Sequence, residues 1–305
     1  MGIEKGERKE RQGCLPQLLL LFLFLAFGMK MAGYLGMEEN SSPLLARYGA
    51  YLGRLESGSA YEELQDPANR YAYVKEILAG REEDVNPPRG MTEEFLDTIS
   101  LVLAHNCDLN YVDYTSYNDR NIRVFYDYPA ERMREMDQAV EEAAESLVEE
   151  LVKPYMSDQT RAKALHDHLV LNVRYDLENY KNDSLPNEAY TAYGALVEGV
   201  AVCEGYAAAF KILGEKAGLQ VLSVTGRAST AEGLENHAWN MVLSEGKVHH
   251  VDTTWNDPDD VLPGQVLDTY FWVPASRMEQ DHTWDKAQFG EEAFLLNGIV
   301  QDKNQ

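Results

Sequence analysis

An α+β fold is predicted for this chain by three features of its sequence. Apolar residues recur at helical spacing after Pro129 and again over residues 158–172. Another helix is predicted to open near Cys203 and to end at Gly218, because glycine suits the residue after a helix. Alternating apolar residues predict strands at residues 219–225, 237–243 and 248–253.

The composition narrows the classes of partner. The chain has 305 residues, with 27 Lys+Arg against 51 Asp+Glu and a formal net charge of -24. So acidic a chain repels phosphate backbones, and nucleic acid is therefore excluded as a partner. The cysteines Cys14, Cys107 and Cys203 are too few for a disulfide framework, and their spacing offers no zinc site. We expect no metal and no cofactor.

The N-terminal segment predicts a membrane anchor. Residues 15–37 are almost continuously apolar and are long enough to cross a bilayer if Lys30 reaches the far interface. The basic residues before this segment are Lys5, Arg8, Lys9 and Arg11. They predict that the N-terminus lies inside the cell and the rest of the chain outside. A cleaved signal peptide is the alternative, although Ala26-Phe-Gly28 is a poor cleavage site.

Cys203 is the first candidate for chemistry. Its predicted position at a helix N-terminus would stabilise a thiolate, and the free N–H groups there can bind an oxyanion. A small buried cysteine packed beneath a helix is the commoner role of such a residue. Cys203 therefore needs partners before a catalytic function is inferred.

A predicted hairpin brings His237 and Asp252 together. Its turn is Ser244-Glu-Gly-Lys247. With Glu245-Gly246 as the loop, Asp252 lies diagonally from His237, and with the loop shifted back by one residue the two are directly opposite. Both registers keep the imidazole and the carboxylate on one face, roughly 5–8 Å apart. We therefore predict Cys203 as nucleophile, His237 as base and Asp252 as the group that orients the base.

Other polar and aromatic side chains are candidates for contact with a substrate. The predicted groove residues are Tyr206, Trp239, Asn240, His250 and Trp255. Core packing is the alternative role for the tryptophans. A zinc site built on His237 and Asp252 would need a third ligand. We therefore predict no metal site.

The sequence over about residues 160–285 resembles the transglutaminase-like superfamily, in particular bacterial exported proteins described as cysteine proteases. The segments that carry the resemblance are Ala164–Leu169, Tyr175-Asp176, Ala195–Ala207, Val224-Thr-Gly226, His237-Ala-Trp-Asn240, His250–Pro258, Tyr270–Val273 and His282-Thr-Trp284. The resemblance implies a papain-like core in which the helix bearing Cys203 packs on an antiparallel sheet bearing His237 and Asp252. It also implies acyl transfer from an amide, either to water or to an amine.

These inferences give a membrane-anchored, extracytoplasmic thiol enzyme that acts on a peptide or protein outside the cell. A binding module of the same fold, which holds a peptide or a cell surface without catalysis, is the alternative. The predicted parts are a cytoplasmic N-terminus (1–14), a transmembrane signal anchor (15–37), a juxtamembrane region and linker (38–90), an accessory α/β region (91–157), a transglutaminase-like domain (158–290) and a tail (291–305).

Overall fold

A computed structural model describes residues 59–109, 111–118, 121–231, 233–257 and 265–297 of the chain. No helix in these ranges is long and apolar enough to cross a membrane. The predicted anchor at residues 15–37 lies outside the described residues, and so does the predicted cytoplasmic N-terminus.

Helices occur along the whole of the described chain. The described α-helices are α1 (Ser59–Gln65), α2 (Pro67–Ala79), α3 (Thr92–His105), α4 (Ala130–Leu151), α5 (Asp158–Asn172), α6 (Leu177–Lys181), α7 (Cys203–Lys216), α8 (Ala275–Met278) and α9 (Glu291–Leu296). The predictions of helices after Pro129 and over residues 158–172 are confirmed by α4 and α5. Their apolar positions explain this, because the repeating spacing gives each helix one side that is buried.

The strands in the described ranges form three separate sheets. They are β1 (Asp84–Val85), β2 (Val112–Asn118), β3 (Asn121–Tyr126), β4 (Arg174–Tyr175), β5 (Val200–Ala201), β6 (Gln220–Thr230), β7 (Gly233–Ser244), β8 (Lys247–Val251), β9 (Phe271–Val273) and β10 (His282–Thr283). The largest sheet is antiparallel, in the order β10-β6-β7-β8-β9. A small antiparallel sheet has the order β1-β3-β2, and β4 pairs with β5 in parallel.

Helix α7 packs on one face of the five-stranded sheet. Phe210 and Leu213 of the helix join Val221, Val242 and Val251 of the strands in one buried cluster. Burying such side chains against each other stabilises the fold by roughly 1.5–3 kcal/mol each. The mixed helix and sheet architecture predicted from the sequence is confirmed, with the cysteine-bearing helix against an antiparallel sheet.

The opposite face of this sheet is also covered. Trp239 and Met241 point to that face and pack with Met278, Phe289 and Phe294 from the C-terminal part of the chain. Successive strand residues point to opposite faces, so β7 contributes side chains to both layers. The sheet is therefore a buried middle layer, and its polar residues lie in the interior.

The described residues before Asn106 form three helices and one short strand. Pro67 begins α2 instead of interrupting a helix, because Asp66 caps the helix and proline has no N–H to leave unpaired at this position. The segment predicted as a linker contains β1, whose Asp84 pairs with Arg123. Helix α3 begins at Thr92, but the residue before it, Met91, has no side chain that can cap the helix.

Candidate active site

The hairpin between β7 and β8 has the first of the two predicted registers. Ser244 pairs with Lys247, which leaves Glu245 and Gly246 as the loop. Both loop residues have positive φ, 52° and 73°, as a tight hairpin turn of this kind requires. Strand β8 ends at Val251, so the candidate carboxylate follows directly after the strand.

His237 and Asp252 form a buried pair. His237 Nε2 lies 2.7 Å from Asp252 Oδ2, while Asp252 Oδ1 accepts the backbone N–H of Trp255 at 3.0 Å. Asp252 is fully buried and His237 is 7% exposed. Burial alone would raise the pKa of Asp252, but the charge and hydrogen bond of His237 outweigh it and hold that pKa well below its usual range. The carboxylate is therefore ionised, as an orienting group for a base must be.

Cys203 is the first residue of α7, as predicted, and it is buried. It belongs to one apolar cluster with Ala207 of the same helix and Ala238 of β7, the residue after His237. The backbone N–H of Ala238 hydrogen-bonds to the thiol and acts to lower its pKa. The fold therefore brings the start of α7 against β7 at the candidate base.

The thiol is held by an acidic neighbour that the sequence analysis did not consider. Cys203 Sγ donates to Glu204 Oε2 at 3.0 Å. Burial raises the pKa of Cys203 well above its usual range, and the Glu204 carboxylate raises it further. The expectation that the helix N-terminus would favour a thiolate is therefore corrected: in this arrangement the thiol is protonated. Glu204 could have been noticed in the sequence, because it lies in the same first turn of α7.

A second histidine reaches the same carboxylate. His282 Nε2 lies 3.1 Å from Asp252 Oδ2, and His282 Nδ1 lies 2.7 Å from Asp281 Oδ1. The sequence marks His282 only as part of the motif His282-Thr-Trp284. Its contact with Asp252 joins residues that are far apart in the chain. Residue spacing gives no sign of that contact.

Aromatic rings surround the two histidines. Trp255 packs against both of them, with ring centroids 5.6 Å from His237 and 4.5 Å from His282. Trp239 stacks on His237 at 5.9 Å, and Tyr270 meets His282 at 5.4 Å. Such rings exclude water and strengthen the electrostatic interactions between the polar groups they enclose.

Most of the predicted groove residues lie in the interior. Tyr206, Trp239, Asn240 and His250 are each 1% exposed, whereas side chains that line an open groove would have to be exposed. Tyr206 OH donates to Val173 O, and Trp239 Nε1 donates to His250 Nδ1. Trp255 alone of the five is partly exposed. The C-terminal segment covers Trp239 and His250, whereas Tyr206 and Asn240 lie on the side of the sheet that α7 covers. Strand alternation does not reveal either cover.

One acidic side chain and two tyrosines form a further cluster near His237. Glu235 shares the β7 face of His237, since the two are two residues apart on one strand. Its Oε2 accepts the hydroxyl of Tyr180 at 3.2 Å, and the Tyr180 ring meets Tyr175 at 6.1 Å. Tyr180 is 43% exposed, which puts this group at the protein surface.

Two clusters of the described residues have donor sets that could hold a metal ion. In the first, donor atoms of His237, Asp252 and His282 lie within 4.8 Å of one another, so His282 supplies the third group that the sequence lacked. These same atoms already hydrogen-bond to one another. In the second, His166, Asp167 and Asp268 meet, and Lys163 bridges the two carboxylates. Hydrogen bonds and an ammonium group explain both clusters.

Comparisons with known proteins give matches over part of the chain. The model of the transglutaminase-like superfamily matches residues 145–257. Kyphoscoliosis peptidase of Mus musculus is 29% identical over 124 residues, and the human protein of that name is 28% identical over 119 residues. These matches cover 38% and 36% of this chain, but 18% of the length of each relative.

Two solved structures are also similar to part of this chain. One is a crystal structure of a TGase, with a TM-score of 0.32 and 17% identity, covering 46% of this chain and 43% of that one. The other is a candidate cysteine protease from Cytophaga hutchinsonii, with a TM-score of 0.32 and 14% identity, covering 59% of this chain and 68% of that one. The family match includes Cys203, His237 and Asp252. Residues 145–257, less than half of the chain, are therefore similar to the transglutaminase-like superfamily.

Proposed function

We propose that the protein is a thiol-dependent acyl-transfer enzyme that uses Cys203, His237 and Asp252. The observation that carries this proposal is the buried 2.7 Å contact between His237 Nε2 and the ionised Asp252, beside the strand position that binds the Cys203 thiol. Because Nε2 is held by the carboxylate, Nδ1 is the nitrogen of His237 that is left for proton transfer with a thiol.

The reaction begins when the thiol proton moves to His237 Nδ1 and Cys203 Sγ attacks the carbonyl carbon of an amide. A C–S bond forms, and the C–N bond breaks as the imidazolium returns the proton to the leaving amine. Unpaired N–H groups in the first turn of α7 are suited to bind the oxyanion. Water then releases the acyl group as an acid, or an amine takes it as a new amide.

The thiol must first leave Glu204. In the present arrangement Cys203 donates to that carboxylate, so the proton would have to be redirected to His237 before attack. The movement required is a rotation of the cysteine side chain away from Glu204 into another staggered rotamer.

A test follows from removing the nucleophile and the base. Fluorescein-labelled casein reports hydrolysis of a peptide amide, and dansylcadaverine reports transfer to a primary amine. Cys203→Ala and His237→Ala should each abolish both signals, and the double variant should be no worse than either, since the residues act as a unit. Cys107→Ala is the matched control and should keep turnover. Activity retained by Cys203→Ala would overturn the mechanism.

One observation favours the alternative of a non-catalytic binding module. The protonated, buried thiol of Cys203 is a poor nucleophile as it stands. A module would bind casein equally in wild type and Cys203→Ala, with no turnover in either. That result would replace the enzyme with a peptide- or cell-surface-binding protein.

We also propose that the protein is a single-pass membrane protein with this domain outside the cell, where it meets its peptide or protein substrate. The apolar run at residues 15–37 and the basic residues before it support this. Protease added to intact cells should digest the domain, and protection of the whole domain would contradict the orientation. A mature chain that begins after the apolar run would instead establish secretion by signal cleavage.

A further inference from the structure

The sheet brings a second imidazole to the carboxylate of the candidate site. Strand β10 lies at the sheet edge, where His282 pairs with Ala228 of β6. Ala228 in turn pairs with Glu235, which is two residues before His237 on β7. Residues in these positions share a sheet face, so His282 and His237 approach Asp252 from one face.

Three N–H groups hold Asp252. The Nε2 atoms of His237 and His282 lie 2.7 Å and 3.1 Å from the same oxygen, Oδ2, and the Trp255 backbone N–H binds Oδ1. An ionised carboxylate only accepts hydrogen bonds, so each of the two Nε2 atoms must carry a hydrogen. The contact with Asp252 therefore fixes the Nε2 proton in both rings.

The other nitrogen of His282 also faces a carboxylate. Nδ1 lies 2.7 Å from Asp281 Oδ1, and Asp281 Oδ2 accepts the hydroxyl of Tyr270 and a guanidinium N–H of Arg277. With an acceptor at each nitrogen, His282 is protonated on both and is a cation between two anions. Burial acts to lower the pKa of His282, but the two aspartates outweigh it and raise the pKa.

We propose that His282 is a positioning residue that holds the Asp252 carboxylate in the orientation in which it binds His237 Nε2, so that His237 presents Nδ1 to the thiol of Cys203. This role rests on the proposed function of the triad. His282 is buried and is held by its own partner Asp281, so it can fix Asp252 from within the protein without contact with a substrate.

Packing alone does not explain the hydrogen bonds and charges around His282. An apolar residue at position 282 would leave Asp252 Oδ2 with one donor and would remove the cation between the buried carboxylate of Asp252 and the partly buried carboxylate of Asp281. The nearby His250 cannot replace that cation. Burial lowers the pKa of His250 to about 4, the charge of His282 contributes to this, and its Nδ1 accepts the Trp239 N–H.

Two substitutions separate positioning from packing. The amide nitrogen of glutamine lies near the place of Nε2, and that of asparagine lies near the place of Nδ1. His282→Gln therefore keeps a donor for Asp252 and loses the one for Asp281, whereas His282→Asn does the reverse. Both remove the cation and one hydrogen bond, so a merely structural role predicts that they behave alike.

The first measurement is which ring nitrogen of His237 carries the hydrogen. It is made on the full-length protein by ¹⁵N NMR of uniformly labelled histidine rings across pH. In wild type and His282→Gln, neutral His237 should carry its hydrogen on Nε2. In His282→Asn, the Nδ1 tautomer should become detectable, because Asp252 has lost a donor and is free to turn. The second readout is kcat with labelled casein, which should be about tenfold to a hundredfold lower for His282→Asn than for His282→Gln.

Equal tautomers and equal kcat in the two variants would overturn the positioning role. If His282→Asn does not fold, the NMR spectrum of wild type still tests the positioning role. A neutral His282 with no hydrogen on Nε2 at pH 6 would overturn that role. The tautomer measurement needs no turnover. Its failure is therefore distinct from a failure of the thiol mechanism, which Cys203→Ala tests.

Discussion

The thiol of Cys203 donates a hydrogen bond to the carboxylate of Glu204, its neighbour in the chain, over 3.0 Å. The helix N-terminus favours the thiolate form of Cys203. Burial and the Glu204 carboxylate favour the protonated thiol. In this structure the carboxylate and burial prevail. Burial is the larger of the two causes, and Glu204 adds to it in keeping the candidate nucleophile protonated.

Glu204→Gln should make Cys203 more reactive. The amide removes the negative charge but keeps the size of the side chain, so the pKa of the thiol should fall. Each unit of decrease raises the thiolate fraction about tenfold below the pKa. The measurement is the rate of iodoacetamide alkylation from pH 6 to 10, followed by mass spectrometry of the Cys203 peptide.

Cys107 is the internal control for this experiment. It is buried, and burial raises its pKa to about 12, so its alkylation should be slow in both proteins. Superimposable pH profiles for Cys203 in the two proteins would show that Glu204 does not hold the thiol. A rise at Cys107 as well would indicate local unfolding instead.

Asp252→Asn should remove most of the turnover. Asparagine has nearly the same shape, but it lacks the charge that stabilises the imidazolium of His237, and its amide cannot accept from all three N–H groups. The fall in kcat should be on the order of 10⁴-fold. The matched control is Asp268→Asn, which removes an exposed carboxylate paired with Lys163. Similar losses in both variants would contradict a specific role for Asp252.

The sequence was sufficient to predict the hairpin that carries the pair. Alternation along β7 and β8, together with a Glu-Gly turn, restricts the register to two choices, and both of them place His237 and Asp252 on one face. The helix start at Cys203 was equally accessible, because the apolar stripe and Gly218 define its ends.

What the sequence could not predict depends on contacts between distant segments. His282 meets Asp252 although the two are thirty positions apart in the chain, and so distant a pairing has no register that can be read from the sequence. Burial of Trp239 and His250 follows from the C-terminal segment that covers their sheet face, and alternation says which face a residue takes but not what covers it. The orientation of the Cys203 thiol likewise depends on a rotamer that no pattern specifies.

His282 should make stability depend on pH in a defined direction. Its pKa is raised in the folded state, so its contribution to the free energy of unfolding is fully present below the ordinary value of 6.5 and is lost as the pH rises through the raised pKa. We expect wild type to exceed His282→Gln in stability most at pH 5.5 and least at pH 9. Urea unfolding followed by tryptophan fluorescence measures this. A constant difference would argue against a cationic His282.

Lys211 should be important for stability although it lies outside the site. Its ammonium group is 1% exposed and pairs with Glu215 at 2.8 Å and Asp108 at 3.1 Å. Lys211→Ala removes the cation and leaves both carboxylates, which should cost about 2–4 kcal/mol given that the acids are partly exposed. Lys163→Ala is the control, since that lysine is 32% exposed and its pairs should contribute about 0–1 kcal/mol. Equal losses in urea unfolding would contradict the burial argument.

Gly226→Ala should disturb the strand that carries His282. Gly226 pairs with His237, and a methyl group there would lie 2.4 Å from the Thr283 carbonyl oxygen of β10 and 2.7 Å from the Trp239 ring. Neither the strand nor the ring can give way locally, so we expect a loss of about 1–3 kcal/mol and a weaker contact between His282 and Asp252. Urea unfolding and the ¹⁵N shifts of His282 measure the two effects. Gly80→Ala is the control, because its nearest atom would be 3.3 Å away. A stable Gly226→Ala protein with unchanged His282 shifts would mean that β10 can move without affecting the site.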